Sequence, residues 1–250
     1  MGLSDFFSKD SRSNRALKKN MQRAVDKHAQ SIDRWRAMEA LRDDGSAEAV
    51  LGLLRRFSLR YEKSIEDEQE KEWVYQTLVD LGERVLPELR RYLRDSDTIA
   101  WALKVLEGVA KGDKFREVLT ELCEQNDNTY VRDPSKKIQL VHFMGEHHDP
   151  VLAKLLVPYL EDADEGVRFK AVEALLSQRQ PEVAMEAMLR LLQLPSEESR
   201  RIKVRIVEGM AAEGWALPAS SDAVERLVMD LVPGARLDKE RRVVAPQGER

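Results

Sequence analysis

From about residue 31, apolar positions recur with helical spacing in blocks of roughly 12–16 residues, each block closed by a short polar break. The clearest run is LAKLLVPYLEDADEGVRFKAVEALLSQRQPEVAMEAMLRLL, residues 152–192. Leu152, Leu155, Leu156, Tyr159 and Leu160 fall at i, i+3, i+4, i+7 and i+8, which predicts one apolar stripe along a helix. After the break EDADEG, a second helix is predicted from Val167, Ala171, Val172, Leu175 and Leu176. Beyond Pro181, a third is predicted from Met185, Met188, Leu189 and Leu192. Pro87, Pro150 and Pro181 stand at or near expected helix starts, where a missing amide donor costs little. Pro158 stands inside an expected helix and should bend it.

The pattern repeats. Trp101, Val105, Leu106 and Val109 match the Val167 helix at a shift of 66, twice 33. Ile202, Ile206, Val207 and Met210 match it at a shift of 35, and the stretch from Lys136 matches at a shift near 31. Earlier first helices are expected from Trp35 and Trp73, with second helices in AEAVLGLLRRF and RVLPELRRYLRD. Paired helices with a period in the thirties predict a helical solenoid, because one pair cannot bury its stripe alone.

Leu160, Asp162, Asp164, Val167, Arg168, Ala171, Ala174 and Leu175 follow a pattern of Leu, acidic turn, Val-Arg, then small and apolar residues. This resembles HEAT-like repeats, including the short type of phycobilisome lyase-related proteins. The resemblance implies an all-α, right-handed α-solenoid of about six helix pairs. It also implies a stacked Asp/Arg ladder, with Arg168 structural, and a concave face lined by the second helices that binds the partner. The expected organisation is a basic segment over 1–30 with a short amphipathic helix, a repeat array over 31–232, and a charged, disordered tail over 233–250. Asp162 and Asp164 are expected to cap the following helix.

Composition fits helices: the chain has 250 residues, 42% hydrophobic and 34% charged, with only 6% aromatic. Net charge is −4, unevenly spread: residues 1–36 hold nine Lys or Arg against four Asp, so +5, which leaves −9 for the remainder. A mildly acidic chain disfavours nucleic acid as a partner, although the basic N-terminal segment keeps nucleic-acid attachment as an alternative, with weak peripheral membrane contact beside it. No apolar run is long enough to span a membrane, and no signal peptide or N-myristoylation pattern opens the chain. A single cysteine excludes an intrachain disulfide and points to a reducing, cytoplasmic setting.

Candidate chemistry is sparse. His142 and Glu146 share a helix face, and His147 and His148 follow, but the HExxH order is absent. The expectation is a helix C-terminus favoured by the dipole, with no metal. Cys123 is expected to be a buried small apolar residue. The stretch EKSIEDEQEKE, residues 62–72, holds six acids and two lysines and is expected to be the solvated start of a helix or a partner-facing loop. No phosphate-binding or nucleophile motif occurs. The expectation is therefore a non-enzymatic scaffold or adaptor without cofactor, binding a protein or peptide. Arg90, Arg94, Lys154 and Arg190 lie on polar faces of second helices, either simply solvated or as a stripe for an acidic partner segment. The alternatives are a HEAT-like enzyme, of alkyl-purine DNA glycosylase or bilin lyase type, and a nucleic-acid-binding module. A glycosylase needs aromatics around a purine, and Trp35, Trp73, Trp101 and Trp215 stand far apart in the sequence at core-like positions.

Overall fold

The computed structural model describes residues 3–60, 63–218 and 222–244. It is all-α apart from a two-stranded ribbon near the end. The helices are α1 (Leu3–Ala24), α2 (Ser31–Asp44), α3 (Ala47–Arg55), α4 (Ser64–Asp80), α5 (Leu86–Asp95), α6 (Ala100–Val109) and α7 (Asp113–Gln125). They continue as α8 (Ser135–Gly145), α9 (Pro150–Leu156), α10 (Glu165–Gln178), α11 (Pro181–Gln193), α12 (Arg200–Ala212) and α13 (Asp222–Leu231). From α2 onward they read as six successive helix pairs, the first helix even-numbered and the second odd-numbered. Two compact units divide them, Met1–Val118 and Leu119–Arg250.

Local chemistry sets the boundaries. Ser46, Asp149, Asp164 and Ser199 accept backbone amides at the starts of α3, α9, α10 and α12, satisfying donors that lack an intrahelical partner. Gly45 closes α2 at φ 62°, a left-handed turn that costs a glycine nothing. At Pro158 the α-helix stops: α9 ends at Leu156 and the chain tightens into a 3-10 segment, Val157–Glu161.

Within each unit, like helices stack on like, which is the packing of an α-solenoid. In the first, α4 packs on α2 and α6, and α3 on α5. In the second, α10 packs on α8 and α12, while α11 packs on α9, the 3-10 segment and α13. The approach of first helix to first helix depends on missing side chains. A Cβ on Gly145 of α8 would lie 2.7 Å from the Cβ of Ala174, and one on Gly209 of α12 would lie 2.1 Å from Leu176 Cδ1. In the first unit a Cβ on Gly108 would lie 2.6 Å from Val79 Cγ2. Gly108, Ala174 and Gly209 are related by the shifts of 66 and 35 already noted, so the small position recurs with the repeat.

Three expectations change. The N-terminal helix is long, 22 residues, and its end is built into the first unit: Met21 and Ala24 are buried and α1 packs on α2 and α3. The acidic stretch starts a helix, but only one side of it is solvated: α4 leaves Glu68 and Glu72 exposed and turns Asp67, Glu70 and Lys71 inward. The tail from 233 is expected to be disordered, yet Arg236–Leu237 pairs antiparallel with Val243–Val244. Its cause is a small apolar core: Ala235 and Val243 are buried, as are Trp215 and Leu217, and the Leu217 amide donates to the Arg241 carbonyl at 2.9 Å. Residues 245–250 lie outside the described residues.

Candidate functional site

The second unit is threaded by an ion-pair ladder that repeats with the helices. Lys137 of α8 reaches Asp162, in the turn before α10, at 2.7 Å. Arg168 of α10 reaches Glu197, in the turn before α12, at 2.6 Å. Lys137 lies 31 residues before Arg168 and Asp162 lies 35 before Glu197, so the second pair is the first moved on by one repeat. Both carboxylates are buried, and each also fixes its own turn: Asp162 accepts from the Asp164 amide and Glu197 from the Ser199 amide, both at 2.8 Å. Arg168 adds a bond to the Asp162 carbonyl at 2.8 Å. Arg168 is thus a structural residue, as the repeat pattern implies. Asp164 caps α10, while Asp162 pins the turn and holds α8 rather than capping. Burial pushes Glu197 up, but the Arg168 guanidinium, the Ser199 amide and Lys203 outweigh it and hold the carboxyl below its ordinary range.

Gln178 is a further cross-link. Its amide nitrogen donates to the carbonyls of Met144 (2.7 Å) and His147, and its oxygen accepts from the Asp149 amide at 3.0 Å. One buried side chain of α10 therefore closes α8 and starts α9.

The first unit has a different polar core. Glu70 of α4 receives Arg34 of α2 (2.9 Å) and Arg56 (2.8 Å), and Asp67 receives Arg56 (2.7 Å) and Lys71 (2.6 Å). Arg34 and Arg56 each also donate to a backbone carbonyl, of Ala29 and Leu59. Burial raises Asp67, but Lys71 and Arg56 prevail and hold it below its ordinary range. These groups satisfy one another and leave nothing aimed at a ligand.

The other expected centres are small. His142 stands 3.8 Å from Glu146, both well exposed, while His147 Nδ1 sits 2.8 Å from the Phe143 carbonyl at the end of α8. Among the described residues no three His, Cys, Asp or Glu side chains gather to hold a metal. Burial pushes the Cys123 thiol up to about 11, and its sulfur sits 3.7 Å from that of Met144. The tryptophans are closer than sequence distance suggests. Trp35 and Trp73 meet edge to face at 5.6 Å, and Trp101 stacks on Phe57 at 5.8 Å, all three tryptophans half-buried.

Two hollows open on the second helices of the second unit. One hollow, about 380 Å³, opens between the 3-10 segment and α11, bounded by Val157, Leu160, Glu161, Arg190, Leu191 and Leu194. A wider one, about 790 Å³, opens between α11 and α13, bounded by Met185, Leu189, Arg190, Leu194, Pro218 and Val224, with Glu182 and Glu186 on its rim. Arg190 and Leu194 belong to both. Leu194 is an exposed large apolar side chain, at 40%.

The four cations expected on second helices divide by unit. In the first, Arg90 pairs with Glu117 at 3.1 Å and Arg94 with Asp95 at 3.0 Å. In the second, Lys154 and Arg190 are exposed and have no ion-pair partner among the described residues. Only Arg190 borders the hollows. Leu194 and Glu182 went unnoticed in the sequence, although the LeuPro break at 194–195 places an apolar side chain where no helix covers it.

An all-α repeat fold is what these observations define. No family model matches the chain, and no curated protein matches it. Neither comparison supports the resemblance to phycobilisome lyase-related repeats that the residues from Leu160 to Leu175 suggest. Among solved structures, human deoxyhypusine hydroxylase in complex with glycerol aligns over 89% of this chain and 95% of that one, at 14% identity and TM-score 0.34. No helix among the described residues is long and apolar enough to cross a membrane.

Proposed function

We propose that this protein is a non-enzymatic scaffold or adaptor that binds a protein partner on the second-helix face of its second unit. The observation that carries the reading is the pair of adjoining hollows on either side of α11, which share the exposed Leu194 and Arg190, a cation with no ion-pair partner among the described residues. An exposed apolar side chain within a hollow, beside an arginine with spare donors, suits an interaction surface, where arginine is enriched. The polar clusters are closed on themselves, as structural ion pairs are: even Asp162, Arg168 and Glu197, which line the smaller hollow, are held in the ladder.

The test is capture from the native host with wild-type protein and Leu194→Asp in parallel. Leu194 is exposed enough for the change to spare the fold, which unchanged thermal unfolding verifies. Loss of captured proteins with the variant supports the face. An identical captured set with both proteins removes it.

A further inference from the structure

We propose that the hollow between α11 and α13 receives an apolar helical segment of another protein, carrying a Lys or Arg pair on one flank and an Asp or Glu about two turns further on. This rests on the docking face proposed above and specifies the chemistry of its occupant.

The floor and walls are apolar: Met185 and Leu189 from α11, Val224 from α13, and Leu194, Pro195 and Pro218 from the connections. A stripe at i, i+3/i+4 and i+7 on a helix fits such a trough, and the flexible thioether of Met185 adapts to its shape. The rim is charged in an ordered way. Glu182, Glu186 and Arg190 follow at i, i+4 and i+8, so they form one row along α11 that spans about 12 Å at 1.5 Å per residue. All three are exposed and have no ion-pair partner among the described residues, although Glu186 and Arg190 have the spacing of an intrahelical pair. Two acids at one end and a cation at the other favour an occupant with the opposite order of charges. The uniformly acidic segment expected from four stripe cations suits this rim poorly: it would face two carboxylates for one guanidinium. Charges at such a rim act on encounter and orientation, while the trough supplies apolar burial.

The probes are two synthetic 16-residue peptides with the same leucine stripe. One carries a Lys pair at i and i+4 and a Glu at i+8; the other has these charges inverted. Fluorescence anisotropy on the full chain should give at least tenfold tighter binding of the first peptide, weakening as salt rises. Glu182→Lys with Glu186→Lys and Arg190→Glu should reverse the preference, and Leu194→Asp should weaken both peptides. Equal binding of the two peptides, preference for the inverted one, or no binding to the wild type overturns the proposal. A native partner that is lost with Leu194→Asp but indifferent to the charge reversal also overturns it and leaves the docking face standing. A partner indifferent to Leu194→Asp overturns the face itself.

Discussion

Lys137 and Asp162 form a pair removed from water on both sides, and such a pair is strong evidence of mutual dependence but weak evidence of net stability. Lys137→Met leaves a buried carboxylate uncompensated and should cost about 3–5 kcal/mol of unfolding free energy, read by denaturant titration. The double change Lys137→Met with Asp162→Leu should recover much of that loss, and a double variant as unstable as the single one would show that the aspartate's bonds to its own turn matter more. Acid should act through the same kind of group. Glu197 and Asp67 are both held below their ordinary ranges, so each contributes stability that is present above the unfolded-state value and is lost as pH falls through the folded-state value. Unfolding temperature should therefore drop as pH is lowered beneath the ordinary carboxylate range. Arg168→Gln should flatten the part of that drop that belongs to the second unit, and an unaltered profile would contradict the assignment of Glu197 to Arg168.

Helix pairs meet through the recurrent small position, and this makes a glycine favourable where helix propensity argues against it. Gly145→Ala gains about 0.5–1 kcal/mol of intrinsic propensity. Its new Cβ would come within 2.8 Å of the Ala174 Cα, backbone that cannot turn aside. Overpacking of this kind costs about 1–3 kcal/mol, so the variant should be less stable than wild type by thermal unfolding. Gly209→Ala meets the movable end of Leu176 and should lose less. The element scale is also where the sequence was most readable. The apolar stripes of α9, α10 and α11 follow from spacing, the starts of α9 and α11 from their prolines, and helix order in the early pairs from the same period. The N-cap role of Asp164 was legible. The role of Asp162 was not, because a turn carboxylate that caps and one that reaches back to the previous helix look alike in sequence. Its partner, Lys137, takes the place of Arg168 at a shift of 31, where a repeat pattern written for Arg passes over a Lys.

At the scale of the molecule, two self-contained units share one manner of building and differ in how they hold charge. The first buries a five-membered cluster of Arg34, Arg56, Asp67, Glu70 and Lys71, and the second repeats a two-membered pair. The cluster escaped the sequence reading because residues 62–72 are dominated by acids, and periodicity shows which positions face inward only when those positions are apolar. The ribbon at 236–244 escaped for a related reason: its two strands are two residues each, too short for alternation to register. It adds buried side chains against α12 of the second unit. Of the four expected cations, Arg190 alone borders these two hollows, and its apolar neighbours are Met185 and Leu189 of the predicted stripe together with Leu194 of the break after it. The docking face is tested most directly by hydrogen exchange on the full chain, with and without a captured partner. The account predicts slowed exchange over 181–195 and 222–231, with α8 and α10 unchanged. Protection confined to α8, α10 and α12 would contradict it.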